Sequence, residues 1–239
     1  MIFFSYIRSY IQWFLFGCVL TLYVGLIFLL GKILSKNNLE KLLQTFTKHM
    51  VMVSGIDLHV HGEENFDRSK PYVVMFNHFN FLDHFVIFNA LKIQLRGLEK
   101  EAHFHWPVYG QLMRLIGIIP IPPRGNTEKA LEALAIAKQR VGEGVSMLIA
   151  PEGTRTKDGK LGTFKKGGFH LAIQTQADLL PVVFKGMYTF NQKGKKLITP
   201  CRVDLFIEHP ISTKGLTEDD ANQLRDQVRS IYERYSDED

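Results

Sequence analysis

From Ser9 to Leu30 the chain carries no charged side chain, and the run from Trp13-Phe14-Leu15-Phe16 to Leu26-Ile27-Phe28-Leu29-Leu30 is densely apolar. At about 1.5 Å per residue, such a helix can cross a hydrocarbon core of roughly 30 Å. A signal peptide would have a shorter apolar region and a small-residue cleavage site after it. Gly31-Lys32-Ile33-Leu34-Ser35-Lys36 follows instead, which favours a retained anchor. The next stretch, 39–53, mixes apolar positions with Lys41, Lys48 and His49 and predicts an amphipathic helix lying in the interface. After it the period changes. Short, apolar, β-prone runs at 72–76, 118–121, 145–150, 180–184 and 203–207 alternate with helical runs at 83–95, 109–116, 127–141, 168–176 and 217–235. In the last of these, Thr217 and Asp220 form a capping-box-like start, and Ala221, Leu224, Val228, Ile231 and Tyr235 repeat at helical spacing. The alternation predicts an α/β sandwich with a mixed, largely parallel sheet flanked by helices. Residues 1–51 then form an N-terminal membrane anchor and interfacial helix, and 52–239 a single domain.

Charge and cysteine content narrow the setting. The net charge is +5, yet no interleaved basic–aromatic stripe, zinc-finger spacing or recognition helix is present, which argues against nucleic acid. With an anchor in place, an anionic lipid surface is the economical partner. Lys32, Lys36, Lys41 and Lys48 follow the apolar segment and only Arg8 precedes it, placing the bulk of the protein on the cytoplasmic side of a membrane. A full span and a hairpin dipping into one leaflet fit the pattern about equally. Cys18 and Cys201 are far apart, so no disulfide framework or cysteine metal site is suggested, as in a reducing compartment.

The chemistry-bearing residues gather where strands are predicted to end. His78 and Asp83 are five positions apart, which is about 140° around a continuous helix. For them to touch, the chain must bend between the strand at 72–76 and a helix opening near Asp83. A histidine so placed, with a carboxylate to orient its ring, is a general-base arrangement; a structural histidine at a strand end is the plainer alternative. Pro151-Glu152-Gly153-Thr154-Arg155 directly follows the strand at 145–150, the place where open α/β sheets put ligands. Arg155 can grip a phosphate bidentately and Gly153 lets backbone amides approach it; a surface turn with a Glu–Arg pair fits as well. Arg124, beside the helix start at Asn126 or Thr127, is a second candidate anion ligand. Lys165 and Lys166 form a third basic loop entering a helix.

These blocks, in this order, resemble the acylglycerol-phosphate acyltransferases of the PlsC type: Asn77-His78-x4-Asp83, then Gly117 to Arg124, then Pro151 to Arg155, then Leu180-Pro181-Val182. Lys100-Glu101 and Trp106 to Gly110 resemble the stretch between the first two blocks. Asn80 departs from the family's frequent Ser, and Pro123 stands where an acidic residue often precedes the Arg. The resemblance implies transfer of a fatty acyl group from a thioester, acyl-ACP or acyl-CoA as co-substrate, to a lysophospholipid hydroxyl, with no cofactor and no metal. His78, oriented by Asp83, would be the base. Arg124 and Arg155 would hold the acceptor's phosphate, with Glu152, Gly153 and Thr154 shaping that pocket and Lys165 and Lys166 assisting or facing an acidic carrier. Backbone amides of the His78 or Gly153 loops would meet the oxyanion. Lysophosphatidate is the favoured acceptor, since the chain has two candidate phosphate-binding Arg loops; glycerol-3-phosphate and other lysophospholipids are the alternatives. A metal-dependent hydrolase using His78, Asp83, His84, His103 and His105 is a rival, but Asn80 and Leu82 occupy the positions that a His-x-His-x-Asp-His pattern needs. A non-catalytic lipid-binding protein on the same fold is the other.

Overall fold

The computed structural model describes residues 2–123 and 125–235. Two long helices open the chain: α1 (Ile2–Leu30) and α2 (Lys36–Ser54). The second is bounded by recognisable signals. The Ser35 side chain caps its N-terminus by accepting from Asn38 N, and Gly55, at φ 73°, closes it in the left-handed conformation that glycine adopts without steric cost. The apolar stripe of α2, with Leu43, Phe46, Met50 and Val51 buried, packs on α1 and on α3 (Asp83–Leu91) instead of lying open. The expected interfacial helix is thus largely occupied by protein.

A seven-stranded sheet is seen among the described residues, ordered β1-β7-β6-β2-β5-β3-β4. Its strands are β1 (Asp57–His61), β2 (Val73–Phe76), β3 (Leu95–Lys100), β4 (Ile119–Ile121), β5 (Ser146–Ile149), β6 (Leu179–Lys185) and β7 (Arg202–Ile207). All neighbouring pairs are parallel except β6 and β7, so the sheet is mixed and largely parallel, as the alternating pattern predicts. Alternation along the strands divides the core in two. Val74, Phe76, Leu180 and Val182 face α1, α2 and α3. Val73, Met75, Leu179 and Val183 face the opposite layer, made of α5 (Thr127–Gly142), α6 (Gly167–Thr175) and α8 (Ala221–Glu233). Two short helices complete the set, α4 (Tyr109–Leu115) before β4 and α7 (Met187–Phe190) after β6.

Two strands lie where the sequence pattern predicts none, and one expected helix is shorter. The helix expected over 83–95 stops at Leu91, because Lys92 turns into the left-handed region at φ 54° and its N–H caps Phe88 O. Leu95 then starts β3, whose Leu-Arg-Gly-Leu-Glu-Lys sequence lacks β-branched residues. β1, Asp-Leu-His-Val-His, is an edge strand that among the described residues pairs only with β7.

Candidate active site

His78 follows β2 and the Pro151–Arg155 block follows β5, both at the C-terminal ends of parallel strands. β2 ends at Phe76, and the Asn77 side chain extends its ladder by one step: Nδ2 donates to Phe184 O (3.0 Å) and Oδ1 accepts from Phe184 N (2.8 Å). His78 therefore leaves the sheet from a fixed point. The chain then makes the bend that the five-residue spacing requires. Asn80, fully buried, builds it by accepting from Leu82 N (2.9 Å) and donating to Met187 O (3.0 Å). Asp83, also fully buried, is the first residue of α3.

One carboxylate oxygen organises the whole turn. Asp83 Oδ2 accepts from His78 Nδ1 (2.7 Å), Phe79 N (2.7 Å) and Asn80 N (3.0 Å). A carboxylate only accepts, so Nδ1 carries the hydrogen and Nε2 is the basic nitrogen of the ring. His78 is pinned from its backbone too. Its N–H donates to Glu152 Oε1 (3.3 Å) and its carbonyl accepts from Thr156 N (2.9 Å), tying the β2 and β5 loops together.

Glu152 is held from two sides and lines the polar cavity beside His78. Its buried carboxylate accepts from His78 N and from Gly162 N (2.7 Å), because a buried charge needs donors. Burial raises its pKa, those two donors opposing the shift. Of the amides expected to meet an oxyanion, those of His78, Phe79 and Asn80 donate to carboxylates in this structure.

The rest of the Pro-Glu-Gly-Thr-Arg loop assembles as a cationic rim. Gly153 has φ 66°, and a Cβ there would collide with the Lys165 side chain, so both conformation and space call for glycine. Lys165 thus lies against the loop, whereas Lys166 serves α6 through its carbonyl and its side chain is exposed. Lys193, which the sequence gave no reason to single out, donates from Nζ to Thr154 Oγ1 (3.0 Å) and Arg155 O (3.3 Å). Partial desolvation, then the charges of Arg155, Lys157 and Lys100, lower its pKa. Arg124 lies outside the described residues.

Two cavities lie at this turn, one walled by His84 and the other by His78. One, about 410 Å³, is apolar and enclosed by α1, α2, α3, α4 and β3, with Trp13, Phe16, Phe81, Phe85 and Met113 on its walls. Trp13 lies tilted against Phe81 and Phe16 meets it edge-on, at 5.1 and 5.3 Å between ring centres. A bidentate Arg96–Glu40 ion pair joins β3 to α2 beside it. The other cavity, about 700 Å³, is polar and lined by His78, Glu152, Lys160, Lys185, Tyr188 and Arg229 among others. Between the two, the His84 ring lines the apolar cavity and meets the His78 ring edge-on, 5.4 Å between centres. No cluster of three or more His, Cys, Asp or Glu able to hold a metal occurs among the described residues.

Comparison with known proteins identifies the family. The acyltransferase family model matches residues 57–185. The 1-acyl-sn-glycerol-3-phosphate acyltransferase alpha of Mus musculus is 32% identical over 191 residues, covering 79% of this chain and 67% of that protein. A 1-acyl-sn-glycerol-3-phosphate acyltransferase of Limnanthes douglasii is 29% identical over 187 residues, 78% of this chain and 64% of its own. The crystal structure of the 1-acyl-sn-glycerophosphate acyltransferase PlsC from Thermotoga maritima superposes with a TM-score of 0.82 at 26% identity, covering 96% of this chain and 95% of that one. On these matches the chain belongs to the acyltransferase family, as an enzyme of the PlsC type.

Proposed function

We propose that this enzyme moves a fatty acyl group from a thioester, acyl-ACP or acyl-CoA, to the sn-2 hydroxyl of lysophosphatidate, giving phosphatidate at a membrane. The observation that carries this reading is the position of the His78–Asp83 couple: an apolar cavity sized for a ligand lies on one side and a cationic rim close by. The names of the relatives support lysophosphatidate as acceptor. His78 Nε2 takes the acceptor's hydroxyl proton as the oxygen attacks the thioester carbonyl. The Asp83 carboxylate stabilises the imidazolium, and that proton then passes to the departing thiolate. Arg155, with Lys193 and Lys100, offers the acceptor's phosphate charged donors. Arg124 is proposed as a further phosphate ligand, on the motif alone. The acyl chain occupies the apolar cavity.

Residues Phe3–Leu30 form one helix long and apolar enough to cross a membrane, and Phe3, Phe4, Tyr10, Phe14, Leu22 and Leu29 are exposed on it. We place α1 in the bilayer as the anchor, α2 at the cytoplasmic interface and residues 52–239 on that face as the catalytic part, on the strength of Lys32, Lys36, Lys41 and Lys48. The test is acyl transfer by the purified protein in mixed micelles, with lysophosphatidate and glycerol-3-phosphate as acceptors and acyl-CoA and acyl-ACP as donors. His78→Ala should lose about 10² to 10⁴ in rate, and Arg155→Ala should chiefly raise KM for lysophosphatidate. Turnover by His78→Ala within a few-fold of wild type refutes the mechanism, and transfer to glycerol-3-phosphate alone refutes the acceptor.

A further inference from the structure

Acyl transfer from a thioester passes through a tetrahedral oxyanion, which needs donors aimed at the former carbonyl oxygen. Much of the backbone nearest the base is already spent. His78 N donates to Glu152, Phe79 N and Asn80 N to Asp83, and Leu82 N to Asn80 Oδ1. A side chain is the remaining local source on this turn. His84 follows Asp83 on the first turn of α3, with its ring held between Phe76 (5.5 Å between centres) and His78 (5.4 Å). Gly97 on β3 lies across from it, where a Cβ would stand 4.0 Å from His84 Cδ2, an ordinary contact distance. What surface the ring exposes belongs to the apolar cavity. Among the described residues it makes no hydrogen bond. The ring is only partly buried, so its N–H is open to whatever enters that cavity.

We propose that His84 is a second catalytic residue, its ring N–H donating to the thioester carbonyl oxygen as the tetrahedral intermediate forms. The inference rests on the acyl-transfer reading above. Burial, then the charge of His78, pushes the His84 pKa down to about 4, so at neutral pH the ring is a neutral imidazole with one N–H to give. The neighbouring histidines then divide the work. The acceptor's O–H loses its proton to His78 Nε2 as the new C–O bond forms. The carbonyl π electrons move onto oxygen and are held by His84. On collapse the C–S bond breaks, the carbonyl re-forms, and His78 returns its proton to the thiolate sulfur.

The full-length protein in mixed micelles, with acyl-CoA and lysophosphatidate, tests this. His84→Phe keeps a flat ring and removes the donor; kcat should fall by roughly 10² to 10³, with KM for acyl-CoA within a few-fold of wild type. His84→Gln restores a donor and should recover at least part of that loss, which a packing role would not produce. If His84→Phe does not fold, as judged by circular dichroism, the smaller His84→Leu replaces it. A donor-less, folded variant with kcat within tenfold of wild type, or a Gln variant no better than Phe, overturns the assignment. His78→Ala is run beside them. If it too retains turnover, the acyl-transfer mechanism itself falls; if it is inactive while His84→Phe is active, only the role of His84 falls.

Discussion

Replacing Asp83 by asparagine separates what this side chain does for the fold from what it does for the chemistry. The change is nearly isosteric, yet it removes the charge that three donors share at one oxygen, His78 Nδ1, Phe79 N and Asn80 N. A hydrogen bond to a charged group contributes about 1.5–3 kcal/mol and a neutral one about 0.5–1.5 kcal/mol, so roughly 1 kcal/mol is lost at each of three bonds. A negative charge in the first turn of α3 adds about 0.5 kcal/mol. Burying a neutral amide instead of a carboxylate offsets part of this, leaving a net destabilisation of roughly 2–3 kcal/mol. For a chain of this length that lowers Tm by about 4–12 °C. The protein stays folded at room temperature, but the amide no longer stabilises the imidazolium, and rate should fall by about 10² to 10⁴. Thermal melts by circular dichroism and initial rates of acyl transfer, taken in the same detergent, measure the two effects. Activity within tenfold of wild type, or a rate that falls only in step with the folded fraction, would refute the reasoning.

His84 predicts a pH effect. Its pKa is about 4 in the folded chain against 6.5 ordinarily, so the unfolded chain binds the extra proton first as pH falls. That contribution to stability is complete above pH 6.5 and is lost between 6.5 and about 4, worth up to roughly 3 kcal/mol. The groups facing it are His78, Asp83, Glu99 and Arg155; His84→Gln should flatten the decline of Tm over that window, and an unchanged slope counts against it. Arg96→Met strands the Glu40 carboxylate beside the apolar cavity and should cost about 3–5 kcal/mol, most of it recovered in Arg96→Met/Glu40→Leu; chemical denaturation of the single and double variants checks this. Gly17 lines the same cavity and has open space where a Cβ would stand, so Gly17→Leu should fold normally and shift donor preference toward shorter acyl chains. An unchanged chain-length profile would mean that the acyl group lies elsewhere.

Five strands, β2, β4, β5, β6 and β7, were legible because each contains a short apolar run closed by a loop with turn chemistry, and the bend at His78 followed from helix geometry alone. β1 and β3 were not. Each mixes polar and apolar positions, and the residue that stops α3, Lys92, does so through a left-handed backbone that its side chain does not advertise. Within the site, the His78–Asp83 contact could be read from spacing, but the use of Glu152 could not. Its partner amides, His78 N and Gly162 N, become neighbours only when β2 and β5 pair. Lys193 was hidden for the same reason, lying far along the chain from Thr154 and beside it in space. Nor does composition reveal which side of α1 is covered, since its residues are apolar nearly all round.

The first helix is stitched to the rest of the molecule at several points. The Ser9 hydroxyl bonds both N and O of Ile198, Gln12 donates to Ser54 O, Trp13 donates to Lys196 O, and Tyr23 meets His49. The segment that receives Ser9 and Trp13 also carries Lys193 to the Thr154 loop. A shortened protein starting after α1 would therefore not be a freed catalytic core. It would lack one wall of its own interior, exposing Phe46, Phe81 and Phe85 to water, and the loop holding Lys193 would lose its footing. An aqueous version calls for rebuilding the outer surface of that helix with polar residues while leaving Ser9, Gln12, Trp13, Phe16 and Leu20 in place.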